Sequence, residues 1–185
     1  MGEARRPQLY VFGEIEGACA SANFRELSCS WRIVYGEPWE VLQGTASGET
    51  FTAHAQFIQP WFCWNHPVQL HFVTRAVEGW PKLELTVYGV DVHGRAQIAG
   101  YGVQPLPTGA GAHDLCVSCW RPSGATYRER LRNIFLGVVS GLPGGRAPAD
   151  KELDRAGLQT QHVADVRVRL SMLQQDWDKN GVELS

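Results

Sequence analysis

Apolar and polar side chains alternate most regularly between Leu70 and Val103, and this stretch organises the rest of the chain. Leu70 and Phe72 alternate with His71 and Val73 up to Thr74, and Leu83, Leu85 and Val87 alternate with Lys82, Glu84 and Thr86. A period of two assigns both runs to half-buried strands. Glu78-Gly79-Trp80-Pro81 between them is a turn, because glycine accepts positive φ and proline cannot donate to a ladder. Gly89 to Gly94 is the next loop, and Gln97 to Val103 a third strand, with Gly100 and Gly102 flanking Tyr101. Leu83, Leu85 and Val87 should face inward, Lys82, Glu84 and Thr86 outward, and Trp80 should be substantially buried at its turn. Such strands need a second layer to cover their apolar faces.

The same pattern places the other elements. Gln8 to Glu16 is a strand with Leu9, Val11 and Ile15 on one face, followed by a small-residue loop from Gly17 to Phe24. Leu27, Cys29, Trp31, Ile33 and Tyr35 line one side of a second strand that Gly36-Glu37-Pro38 ends. Trp39 to Leu42 and Glu49 to His54 read as short strands either side of a turn-rich link. His113 to Ser118 is a strand, and Val166, Val168, Leu170 and Met172 alternate with Asp165, Arg167, Arg169 and Ser171 in the closing strand, Val163 to Leu173. Only Tyr127 to Leu136 changes period. Tyr127, Leu131, Ile134 and Phe135 recur at helical spacing, with Thr126 as N-cap and Gly137 as a stop. Gly141 to Gly157, rich in Gly, Pro and Ala, reads as a surface loop. The expectation is an all-β antiparallel β-sandwich of about eight strands with one inserted amphipathic helix. It occupies one domain over residues 8–175, with a flexible N-terminus over 1–7 and a polar tail over 176–185 that carries Trp177.

Composition narrows the function. A net charge of −2 gives no general electrostatic case for nucleic acid. No apolar run approaches the roughly 20 residues of a membrane-spanning helix, and the first residues lack the apolar segment of a secretory signal. Five cysteines at irregular spacing do not form a disulfide framework, which points to a reducing, cytoplasmic setting.

Catalytic and metal-binding patterns are weak. Cys116-x-x-Cys119 has no second cysteine or histidine pair to complete a zinc site, and residues three apart on a strand face opposite ways. The six histidines show no HxH or HExxH spacing, and no Gly-x-Ser-x-Gly elbow occurs. The reading is a protein without catalytic residues, metal or cofactor. Arg128, Arg130 and Arg132 form the wet side of the helix. Phe57 to Pro67, with Trp61, Phe62 and Trp64, either walls the core or presents an exposed partner patch. Consecutive large residues on a strand cannot all point inward, so at least one of Trp61, Phe62 and Trp64 should be partly exposed. Trp61, Phe62, Trp64, Arg128 and Arg132 are therefore the candidate partner-binding residues.

Several segments together resemble the B9 domain family: Trp64-Asn65-His66-Pro67-Val68-Gln69-Leu70-His71-Phe72, Gly79-Trp80-Pro81, Val87-Tyr88-Gly89-x-Asp91-x-x-Gly94, Ala99-Gly100-Tyr101-Gly102, Cys119-Trp120-Arg121-Pro122 and Asp176-Trp177-Asp178-Lys179-Asn180-Gly181-Val182-Glu183. They run in the family's order over nearly the whole chain. The resemblance implies a C2-like β-sandwich without catalytic activity, located at the ciliary base: transition zone, basal body and axoneme. It also implies partners: other B9-domain proteins, among them B9 domain-containing protein 1 and the Meckel syndrome type 1 protein, and transmembrane transition-zone proteins. The implied role is a scaffold subunit of a complex that supports cilium assembly and gates ciliary protein content. The alternative is a calcium-independent peripheral membrane module with a C2-like fold.

A C2-like fold raises the question of calcium. Ca²⁺ takes roughly six to eight oxygen ligands. Here Gly89 occupies the first place of the expected Asp-x-Asp, Asp91 the second, and Gln97 lies near the third, while Gly17 to Glu26 opposite offers only Glu26. One carboxylate of three does not build a calcium cage. Gln69 and His71 stand where a phosphoinositide-binding strand would carry lysine.

Overall fold

The computed structural model describes residues 6–20, 24–55, 61–122 and 160–177. The ten strands among these residues are β1 (Gln8–Ala20), β2 (Phe24–Val34), β3 (Trp39–Gly44), β4 (Ser47–Glu49), β5 (Ala53–His54), β6 (Trp61–Thr74), β7 (Lys82–Asp91), β8 (Ala96–Pro105), β9 (Gly111–Pro122) and β10 (Thr160–Gln175). The paired order is β3-β6-β1-β10-β9-β8-β7-β2-β4, with β5 on β2, and every pairing is antiparallel. The described residues thus bear out the antiparallel all-β reading. The helix expected at Tyr127–Leu136 and the loop at Gly141–Gly157 lie outside them.

Among the described residues the ladder is thinnest between β8 and β9. β8 and β9 pair only at Tyr101 and Trp120, whereas the neighbouring pairs run in register along most of their length. The Gly-Tyr-Gly sequence permits that pairing. A Cβ on Gly100 would stand 3.0 Å from the Trp120 carbonyl oxygen, and one on Gly102 2.9 Å from Cys119 Sγ. Across the interior, the Trp64 indole N–H donates to the Leu27 carbonyl at 3.1 Å, and Tyr35 meets Phe72 edge-on at 5.3 Å. One continuous core results, in which Leu9, Val11, Ile15, Leu70, Phe72, Leu85, Val87, Val166, Val168 and Leu170 are buried. The inward phases read for β1, β7 and β10 hold.

Four details depart from the alternation pattern. First, β1 does not end at Glu16. The register shifts between Ile15 and Gly17, and the strand continues with Ala18 and Ala20 inward. Bulges let a strand change phase without ending, so the small residues mark crowding rather than a turn. Second, β6 runs straight through Pro67, because β3 pairs only with Leu70 to Thr74 and the proline, lacking an N–H, sits where β6 is an edge. Third, Glu84 is on the outward phase of β7 but is only 3% exposed, and Arg32 Nε covers its carboxylate at 2.5 Å. Fourth, Trp177, placed with the tail, is buried. It meets Trp39 at 6.1 Å and Trp80 at 5.9 Å, and Trp39 meets Trp80 at 5.1 Å. Each indole N–H of this trio reaches a carbonyl: Glu78 from Trp39 at 3.0 Å, Leu106 from Trp80 at 2.9 Å and Gln8 from Trp177 at 2.7 Å. Trp80, expected to be substantially buried at its turn, is half-buried and packs against the core.

Candidate interaction surface

β6 divides the aromatic candidates by strand parity. Phe62 and Trp64 point into the core and are buried, while Trp61 and Cys63 point to the outer face of the β6-β1-β10-β9 layer. Trp61 is half-buried. Its ring lies across Gly17 of β1, where an added Cβ would stand 2.8 Å from Trp61 Cζ2. Beyond Gly17, the Arg167 guanidinium of β10 stands 5.1 Å from the ring centroid, in reach of a cation–π contact. Arg128 and Arg132 lie outside the described residues.

Register fixes the surroundings of Trp61. Cys63, Gly17, Arg167 and Cys116 form one row across four strands, and Trp61, Cys19, Asp165 and Ser118 the next. Asp165 accepts from Ser118 Oγ at 2.7 Å and meets His162 Nε2 at 3.0 Å. The Ser118 bond first, then His162, holds its carboxyl below the usual carboxylate range. Cys116 is exposed and Cys119 buried, on opposite faces of β9, and burial pushes the Cys119 thiol up to about 12. His113 bonds through Nε2 to the Gly109 carbonyl at 2.9 Å.

The β7–β8 turn shows what the lone Asp91 does. One carboxylate oxygen accepts from the backbone N–H of His93 at 2.8 Å and of Arg95 at 3.0 Å, while the other faces the Arg95 guanidinium at 2.7 Å. The carboxylate is spent on closing the turn and on pairing with Arg95. These bonds, the Arg95 N–H foremost, lower the Asp91 pKa. A depressed carboxyl contributes stability that is present above its unfolded value, about 3.9, and lost as pH falls through the folded value. Acid titration of the melting temperature should therefore show a loss beginning near pH ~4 that Asp91→Asn makes smaller, the remainder belonging to the similarly lowered Asp165. Calorimetry with micromolar calcium should give no stoichiometric heat, and a site abolished by Asp91→Asn would overturn this reading of the turn.

Sequence reasoning missed a second feature of the outer face. Phe12 and Leu173 occupy outward positions on β1 and β10 and are 42% and 55% exposed. The signal was available, as an apolar residue in the polar phase of each run.

Residues 9–173 match the family described as B9-C2, ciliary basal body-associated, B9 protein. The chain is 37% identical over 176 residues to B9 domain-containing protein 2 of Bos taurus, covering 95% of this chain and 98% of that protein. It is 35% identical over 176 residues to the protein of the same name from Homo sapiens, with the same coverage, 95% and 98%. Among solved structures, the first C2 domain of plant extended synaptotagmin 1 aligns with a TM-score of 0.43 at 13% identity, over 92% of this chain and 96% of that one.

Proposed function

This chain belongs to the B9 family of ciliary basal body-associated proteins, and from that membership we propose that it is a non-enzymatic scaffold subunit at the ciliary base. In this reading it sits on the cytoplasmic side of the transition zone, at the basal body and proximal axoneme. There it assembles with other B9-domain proteins, B9 domain-containing protein 1 and the Meckel syndrome type 1 protein among them, and with transmembrane transition-zone proteins. The assembly supports cilium formation and controls which proteins pass into the cilium. The observation that carries the reading is a match extending from residue 9 to residue 173, so that the chain is nearly all B9 domain.

A scaffold without catalytic machinery acts through shape and contact. Trp61 supports that role, because it is the outward-facing tryptophan of β6 and Arg167 holds its ring across the sheet. The test is co-expression of the full chain with B9 domain-containing protein 1, followed by size-exclusion chromatography. The two should co-elute. Trp61→Ala should leave a folded protein and weaken the complex by ~2 kcal/mol, as truncating an interface hot spot does. A folded Trp61→Ala protein that assembles at wild-type strength would remove Trp61 from the interface.

A further inference from the structure

Trp61 lies at one end of the outer face, and the other end carries a distinct chemistry. Register places His71, Tyr10 and Leu173 side by side across β6, β1 and β10, with Gln69, Phe12 and Ser171 in a neighbouring row. Phe12 and Leu173 stand diagonally across these rows, close enough for large side chains to share one contact. Tyr10 is fixed beside them. Its ring stacks on His71 at 4.0 Å, and its O–H lies 3.1 Å from Gln8 Oε1 and 3.3 Å from Gln175 Oε1. An aromatic already held in place loses little entropy on binding. Next along β1 and β10, Arg169 gathers Glu16 at 2.7 Å, Asp114 at 3.0 Å and Glu14 at 3.7 Å. Three carboxylates against one guanidinium leave a surplus of two negative charges beside the apolar patch.

We propose that Tyr10, Phe12 and Leu173, with the acidic row of Glu14, Glu16 and Asp114, form a docking surface for a partner protein whose apolar contact is rimmed with lysine or arginine. Exposed, contiguous apolar side chains mark interaction sites, and the acidic row selects the rim that can meet them. An anionic membrane is disfavoured, because surplus negative charge repels its headgroups. A second copy is disfavoured as well. An isologous contact repeats the same patch on both subunits, so the acidic row finds no basic row opposite.

This assignment rests on the scaffold reading, and the test separates the two. The full chain is titrated with full-length B9 domain-containing protein 1 at low and high salt. The Phe12→Ser/Leu173→Ser protein, with a melting temperature close to wild type because both residues are exposed, should bind about thirtyfold more weakly, the factor equivalent to one interface hot spot. Glu14→Lys/Asp114→Lys, a second variant that leaves the apolar residues in place, should weaken binding and flatten its salt dependence. Wild-type chain that does not bind at all overturns the scaffold reading and this assignment with it. Wild-type binding that both folded variants retain overturns the assignment alone. Sedimentation with phosphatidylserine vesicles, or self-association of the chain alone, that the Phe12→Ser/Leu173→Ser protein loses would overturn it in favour of a membrane or a second copy.

Discussion

Trp177→Ala is expected to destabilise the fold by about 3–5 kcal/mol, the range for deleting a large buried aromatic. The indole is 4% exposed and closes a cluster with Trp39 and Trp80. Its N–H donates to the carbonyl of Gln8, the first residue of β1. The substitution therefore opens a cavity and removes the donor from that carbonyl together. Asp176, just before it, has φ 62, a left-handed conformation that aspartate tolerates better than most residues. That turn aims the indole back at the sheet. In guanidinium unfolding the midpoint should fall with little change in slope. Trp80→Ala should cost less, because Trp80 is half-buried. A midpoint unchanged by Trp177→Ala would mean that the indole is not docked.

The fate of Trp177 shows where the sequence was legible and where it was not. Long strands buried on one face announced themselves. The alternation over Val166 to Met172 and over Leu83 to Val87 predicted the buried apolar positions of β10 and β7, because period-two burial is what the pattern encodes. Trp177 follows a polar run, and its burial depends on a turn and on two tryptophans far away in sequence. Glu84 obeyed the alternation and was still buried, because Arg32 on the adjacent strand covers it. The phase change in β1 was invisible for a related reason. A bulge is set by what the partner strands require, and Gly17-Ala18-Cys19-Ala20 reads locally as a loop. The surface was half legible. Parity alone predicted that Trp61, Phe62 and Trp64 could not all be buried, and only the register with β1 and β10 showed Trp61 lying between Gly17 and Arg167. Phe12 and Leu173 broke the polar phase of their strands, yet single apolar residues on a surface are common. Only their diagonal placement across two strands, beside an acidic row, gives them meaning.

Gly17 joins the fold to that surface, and Gly17→Ala is expected to cost about 1–3 kcal/mol, as overpacking typically does. The new Cβ would stand 2.2 Å from the Phe62 carbonyl oxygen and 2.8 Å from the Trp61 ring. The first neighbour is backbone, so it yields only if β1 and β6 separate at the register shift. The second is a side chain, which can yield by swinging off the sheet and away from Arg167. Both responses act on the outer face. The melting temperature should fall, and Trp61 should become more exposed to solvent quenchers, an effect absent once Trp61 is replaced by phenylalanine. Gly109→Ala provides the comparison, because the nearest atom to its added Cβ is His113 Cε1 at 3.8 Å. It should change stability by no more than about 0.5 kcal/mol, the usual range for a surface position. If Gly17→Ala proves as mild as Gly109→Ala, the close approach of β1 to β6 at the bulge is wrong, and with it the placement of Trp61 across the sheet.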